Sequence, residues 1–187
     1  MGVGNFNWLG KPEFVKIQLI LIMRLIKLAI ISFIVFFLLI TAFSLFIPAH
    51  VRISKATDIN TAKDSVMQQI NNAANWKNWY PGADTLQVLQ IDGVAKGILT
   101  KGQQGIIITG SDDSTVTAGN AGTAPGKGEM GWNILQSRGY GPVTVQWYMD
   151  FRFSWYPWEK FSSLLLEKRY GLLMEQGLDK LKKFLEK

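Results

Sequence analysis

The stretch VTVQWYMDFRFSW, residues 143 to 155, decides the fold. Val143, Val145, Trp147, Met149, Phe151, Phe153 and Trp155 take every odd position, and Thr144, Gln146, Tyr148, Asp150, Arg152 and Ser154 take the even ones. A period of two places one set on each face of an extended chain, so this is a strand with one buried and one wet face. Such a face needs a cover. The segment from about Trp158 to Lys187 supplies it as a predicted long helix, with Phe161, Leu165, Tyr170, Leu173, Met174, Leu178, Leu181 and Leu185 along one side and charged residues elsewhere. Gly171 and Gly177 interrupt that helix, each at a cost of about 1 kcal/mol relative to Ala unless close packing or a cavity requires a small residue.

Short apolar runs precede the long strand at hairpin spacing: TLQVLQI, VAKGILT, GIIITGS and STVTA. Asp92-Gly93 joins the first two and is a turn signal that tolerates positive φ. Further turns are expected near Lys101-Gly102, at Asp112-Asp113 and at Gly139 to Pro142. A Gly-rich stretch from Gly119 to Gly131 reads as a flexible connection into MGWNILQSR. Upstream, VRISKATDIN alternates as a strand, and Asn60 or Thr61 is expected to cap a helix carrying Asp64, Val66, Met67 and Ile70. That helix runs into NWKNWYPG, where Trp76, Trp79 and Tyr80 are expected to pack a helix end against the sheet. The order of strand, helix, several antiparallel strands and a final helix predicts an α+β domain over residues 49–187.

Ahead of that domain, Leu28 to Ile47 contains twenty consecutive uncharged residues. At about 1.5 Å per residue these reach about 30 Å, the thickness of a hydrocarbon core, so the segment is expected to be a transmembrane helix. It is longer than a signal-peptide core, and SLFIPAH offers no small-x-small cleavage site, so an uncleaved signal anchor is expected. Lys11, Lys16, Arg24 and Lys27 precede it against Arg52, Lys55 and Lys63 after it, which places residues 1–27 in the cytoplasm and the domain outside. Part of the N-terminal segment is itself apolar and is expected to lie in the interface. Met23-Arg24-Leu25-Ile26-Lys27 would also start a signal anchor, making residues 1–22 an expendable extension.

The formal charge of +6 is partly a property of the segment before the span, because 16 bases and 13 acids remain after Ile47. No nucleic-acid partner is expected from that balance. With no cysteine and one histidine, His50, neither a disulfide framework, a metal site nor a Ser-His-acid triad is expected. Residues 122 to 126 fail the phosphate-loop spacing. Asp112-Asp113 reads as a solvated turn.

The opening strand with its helix, the NWKNWYP segment, GKGEMGWNI, the long alternating strand and the closing GLDKLKKFLEK together resemble the START-like helix-grip (SRPBCC) superfamily, which includes polyketide cyclase and dehydrase domains and lipid-transfer domains. The resemblance covers about Val51 to Lys187. It implies a curved antiparallel sheet wrapped around the long C-terminal helix, with an apolar cavity between them. Anchored members are familiar in bacteria, so the expected location is the bacterial inner (cytoplasmic) membrane, single-pass. The expected function is non-catalytic binding of a hydrophobic small molecule or lipid, with the lipid bilayer as partner and no cofactor. Trp132, Trp147, Met149, Phe151, Phe153, Tyr170 and Met174 are the expected cavity lining. Two other expectations stand beside it. One is a cyclase or dehydrase-type enzyme using Glu129 or Asp150; the other is an envelope structural or partner-binding module using the basic residues Lys180, Lys182 and Lys183.

Overall fold

A computed structural model of the chain describes residues 12–100, 104–121, 128–136 and 141–187. The chain forms two units, Met1–Phe46 and Ile47–Lys187. The first is a helix, α1 (Pro12–Ser44), with apolar side chains exposed along its length. Among the described residues, one helix is long and apolar enough to cross a membrane, Val15–Leu45, properties that an anchor and a signal sequence share. Its regular part stops at Ser44, short of the expected Ile47. Pro48 disfavours a helical conformation in the residue before it, and the last turn closes by Leu45 and Phe46 N–H groups donating to the Ala42 and Phe43 carbonyls, both at 3.2 Å.

The second unit is α+β. It runs β1 (His50–Ile59), α2 (Lys63–Asn71), two short 3-10 turns (Ala73–Asn78 and Ala83–Thr85), β2 (Gln87–Ile91), β3 (Val94–Leu99), β4 (Gly105–Ser111), β5 (Thr115–Ala121), β6 (Glu129–Gln136), β7 (Val143–Arg152), α3 (Pro157–Ser163), a π-helical turn (Glu167–Gly171) and α4 (Leu172–Leu185). Among the described residues the seven strands form one curved antiparallel sheet in the order β1-β7-β6-β5-β4-β3-β2. Irregularities at Leu89/Gln90 and Ile108/Gly110 interrupt its register, the kind of local disruption that bends a sheet. The β2–β3 turn is the expected one, with Asp92 at φ 53° and Gly93 at φ 76°.

The long alternation holds through the pairing of β7 with both neighbours. Val143, Val145, Trp147 and Met149 are buried, and Thr144, Gln146, Tyr148 and Asp150 are half-buried on the other face. The strand ends at Arg152, three residues before the expected Trp155. The reason is its partners: β1 begins at His50 opposite Arg152, and β6 begins at Glu129 opposite Asp150. Phe153 makes one last bond, its N–H donating to the Ala49 carbonyl at 2.8 Å.

Other expectations need correction. Helix α2 is preceded by Ala62, not capped by Asn60 or Thr61. The Asn60 N–H is taken instead by the Glu186 carboxylate at 2.8 Å, and Thr61 N–H closes a tight turn onto Ile59. The Gly-rich connection is shorter than expected, because Gly119 to Ala121 belong to β5 and Glu129 to Gly131 to β6. Its centre, residues 122–127, lies outside the described residues, as do the turn expected near Lys101-Gly102 and the first half of that at Gly139 to Pro142. The single long C-terminal helix is broken into α3, the π-helical turn and α4. Beyond the break α4 buries Met174, Gly177, Leu178 and Leu181 against the sheet. Before it, Phe161 and Leu165 are exposed and are not part of the buried stripe.

Candidate functional site

The site is built on a block of rings. Trp76, Trp79, Tyr80, Trp132 and Trp147 are buried together, with neighbouring ring centroids 5.2 to 6.3 Å apart. Trp76 and Trp79 arrive on the 3-10 turn after α2, and they also cap that helix. Their indole N–H groups donate to the Ile70 and Gln69 carbonyls at 2.7 and 3.3 Å, acceptors that a helix end leaves without an internal donor. The indole N–H groups of Trp132 and Trp147 are buried with no acceptor among the described residues.

Beside this block lies a cavity of about 420 Å³, within the range of small-molecule sites. Its walls come from β4, β5, β6, β7 and the helical turn opposite. Met130, Met149 and Phe151 belong to the sheet; Leu166, Tyr170 and Leu173 belong to the π-helical turn and its flanks. Ile106, Asn120, Gly128, Glu129 and Tyr80 complete it. A π-helical turn carries one extra residue, which rotates everything after it relative to a regular helix. That rotation turns Tyr170 and Leu173 to the cavity while Met174, Gly177 and Leu178 reach the core.

Of the seven residues expected to line the cavity, Met149, Phe151 and Tyr170 do so, with the Phe151 and Tyr170 rings 5.0 Å apart. Trp132, Trp147 and Met174 are fully buried in the core and are not among the lining residues. Phe153 is stacked on Phe151 at 6.5 Å, one residue past the strand end, and also lies outside the lining. Sequence reasoning missed Tyr80, Ile106, Asn120, Met130, Leu166 and Leu173. The alternation of β6 already placed Met130 on the same face as Trp132, so that residue was there to be found.

Polar groups at the cavity are few. Tyr80 is buried with its ring stacked on Trp76 at 5.5 Å and 19°. Burial, with a smaller contribution from Tyr170, pushes its ionisation well above the ordinary tyrosine range, so it stays a neutral phenol. Its hydroxyl has no hydrogen-bond partner among the described residues. Glu129 pairs in register with Asp150, which puts both on the outer face; Glu129 meets the cavity only at its rim. Asp150 is held there by Arg52, whose Nε and Nη2 donate to its two oxygens at 2.8 and 2.6 Å, and by His50 Nε2 at 3.2 Å. The Arg52 hydrogen bonds keep its carboxyl below the usual carboxylate range. Among the described residues no cluster of His, Cys, Asp and Glu is placed to hold a metal.

A charge sits on the inner face. Lys55 of edge strand β1 pairs with Trp147 in register, and its ammonium is clamped by Glu167 and Glu175, each at 2.9 Å. Hydrogen bonds from Glu175 and then Glu167 push its pKa up to about 12. The clamp ties the π-helical turn and α4 to the sheet. On α4, Lys183 is paired with Asp179 at 2.7 Å, and Lys182 lies 3.9 Å from Glu186.

The chain is similar to the di-domain ARO/CYC protein BexL from the BE-7585A biosynthetic pathway, with TM-score 0.54, 10% identity, and 74% of this chain and 51% of that one covered. The fold is helix-grip. StfQ, the di-domain ARO/CYC protein of the steffimycin pathway, gives the same TM-score of 0.54 at 10% identity, with 74% of this chain and 51% of that one covered. A protein of Bacillus thuringiensis matches over its whole length, with TM-score 0.51, 12% identity and 73% of this chain covered. This helix-grip chain spans about half the length of the two di-domain proteins. No family model matches its sequence, and no curated protein does.

Proposed function

We propose that this chain is a membrane-tethered helix-grip domain that holds a hydrophobic small molecule or lipid in its cavity without transforming it. The observation that carries this reading is the wall composition. About 420 Å³ of space, open on one side, is lined mainly by Met, Phe, Leu, Ile and Tyr side chains of sheet and helix. Burial of an apolar guest there gains about 25 cal/mol per Å² of surface removed from water, and the Tyr80 hydroxyl offers one donor to orient it. α1 is the tether, so a lipid or lipid-soluble guest is available at high local concentration. The positive-inside balance favours a single pass through a bacterial inner membrane with the domain extracytoplasmic.

An enzyme of the cyclase or dehydrase type needs an acid or base facing the guest. Glu129 and Asp150 share the outer face, and Asp150 is occupied by Arg52 and His50. Tyr80 is a poor base because its burial opposes the phenolate. Binding is therefore the better reading.

Solvent extraction and mass spectrometry of the full chain purified from membranes test it. An apolar molecule is expected in stoichiometric amount. The variant Leu173→Trp, which fills the cavity, is expected to bind an apolar fluorescent probe at least about tenfold more weakly, the ratio given by about 1.4 kcal/mol. Equal probe binding by the parent and Leu173→Trp, with no guest recovered from either, would remove the proposal.

A further inference from the structure

Helix α3 is built inside out. Pro157, Lys160 and Ser163 are its buried residues, with Lys160 only 8% exposed, while Trp158 is 62%, Phe161 39%, Leu164 65% and Leu165 66% exposed. Trp155 and Tyr156 extend the apolar face, Trp155 being 65% exposed; the Tyr156 ring stacks on Trp158 at 5.0 Å and meets the tilted Trp155 ring at 4.7 Å. A short helix facing water normally does the reverse and buries its apolar side. Contiguous exposed apolar surface of this kind marks an interaction site.

We infer that this face, Trp155, Tyr156, Trp158, Phe161, Leu164 and Leu165, seats the domain in the headgroup interface of the bilayer that α1 crosses. Three features favour lipid over a protein occupant. First, Trp and Tyr are the residues enriched at membrane–water interfaces, where their rings meet acyl chains and their polar tips meet headgroups. Second, α3 is tied to the point where the chain enters the domain. The buried Lys160 ammonium donates to the Ile47 carbonyl at 3.0 Å, and Ile47 follows Phe46, the last residue of the apolar unit. Phe153 N–H likewise donates to the Ala49 carbonyl, two residues further on. If α1 spans, Ile47 lies at the bilayer surface by connectivity alone, and these two bonds carry α3 with it. Third, the exposed cations Arg152, Lys168 and Arg169 flank this face, a placement suited to anionic headgroups. Leu166 and Tyr170, which line the cavity, follow α3 directly, so the seated face borders the cavity wall.

The inference rests on the tethered reading, and its test separates the two. The chain has no cysteine, so Leu165→Cys and Lys96→Cys each give a single labelling site, one in the face and one on β3. Each full-length variant carries an NBD fluorophore and is reconstituted into vesicles of phosphatidylethanolamine and phosphatidylglycerol containing a lipid with a doxyl group near the headgroup. Flotation reads the tether, and NBD quenching reads the face. The expected result is flotation of both variants, with lipid quenching and loss of iodide access at residue 165 alone. Repeating the measurement at Trp158→Cys guards against a local effect of one label. Flotation with residues 158 and 165 as open to iodide as residue 96 overturns the seated face and leaves the tether standing. Failure to float overturns both. Protection of residue 165 without lipid quenching, together with a crosslinked dimer, would assign the face to a second copy of the chain and overturn the inference.

Discussion

Gly177→Ala should destabilise the domain, although helix propensity alone says the opposite. A methyl group on Gly177 would lie 2.7 Å from Cζ3 of Trp147 and 3.1 Å from Cδ of Pro81. Carbon atoms in good contact are about 3.5–4.0 Å apart, so the Trp147 ring must retreat by about 1 Å. It has nowhere to go. Trp147 is fully buried, with the Tyr80, Trp132 and Trp79 rings at 5.2, 5.5 and 6.0 Å. Overpacking of this kind costs about 1–3 kcal/mol, against a gain of about 1 kcal/mol from replacing Gly by Ala within α4. The expected net loss is about 0–2 kcal/mol, which for a domain of this size lowers Tm by as much as about 8 °C. Thermal unfolding followed by near-ultraviolet circular dichroism reads both the midpoint and the coupling of the stacked indoles, which should weaken in the variant. Trp147→Phe removes the clashing ring edge, so Gly177→Ala should be less harmful in that background, with a coupling of about 1 kcal/mol in the double-mutant cycle. A rise in Tm for Gly177→Ala alone, with an unchanged indole signal, would refute the packing argument.

Two further outcomes follow from contacts around the cavity. Trp76→Phe removes the donor to the Ile70 carbonyl and leaves a buried acceptor unmet; a loss of about 1–3 kcal/mol is expected in urea unfolding, larger than that for Trp155→Phe on the exposed face. The Lys55 clamp contributes fully below the ordinary lysine value of about 10.4 and is lost as pH rises through its own value of about 12. Stability measured from pH 9 upward should therefore fall over that window in the parent and fall less in Lys55→Met, whereas parallel profiles would deny the clamp a role.

How much of this was legible in the sequence depends on which physical rule each feature obeys. Residues 143 to 152 follow the strand period without exception, so the inner face of β7 could be read residue by residue. Asp92-Gly93 specified its turn because few residue pairs tolerate two successive positive φ values. Depth was not legible. Trp147 and Met149 share one face and one alternation, yet the first is sealed under other rings and the second reaches the cavity. Periodicity says which way a side chain points and nothing of what stands over it. The helix break was hidden for a related reason. A constant 3.6-residue period from Trp158 to Lys187 predicts one stripe, and an inserted residue at the π-helical turn changes the phase without changing composition. That period puts Phe161 and Leu165 in the buried stripe and carries no sign of the inverted burial of α3.

That break is what lets one C-terminal segment meet two environments. A regular helix through residues 157–185 would present a single apolar stripe, and that stripe would have to be either core or surface. Here the stripe of α4 goes to the sheet, through Met174, Leu178 and Leu181, while the apolar face of α3 turns outward. The change of phase falls at Glu167 to Gly171, where Lys55 holds Glu167 at the start of the turn and Glu175 in the first turn of α4. Gly171 leaves room for that lysine, since a methyl group there would lie 3.2 Å from Lys55 Cε and 3.1 Å from Glu167 Oε1. An inner-face charge on an edge strand also discourages pairing with another sheet. The same lysine thus fixes the turn that faces the cavity with Leu166 and Tyr170. If the clamp is the hinge between the outward face and the core stripe, Lys55→Met should alter probe binding in the cavity more than a surface substitution of equal stability cost. Unchanged binding would make the clamp a fastening of the fold and no more.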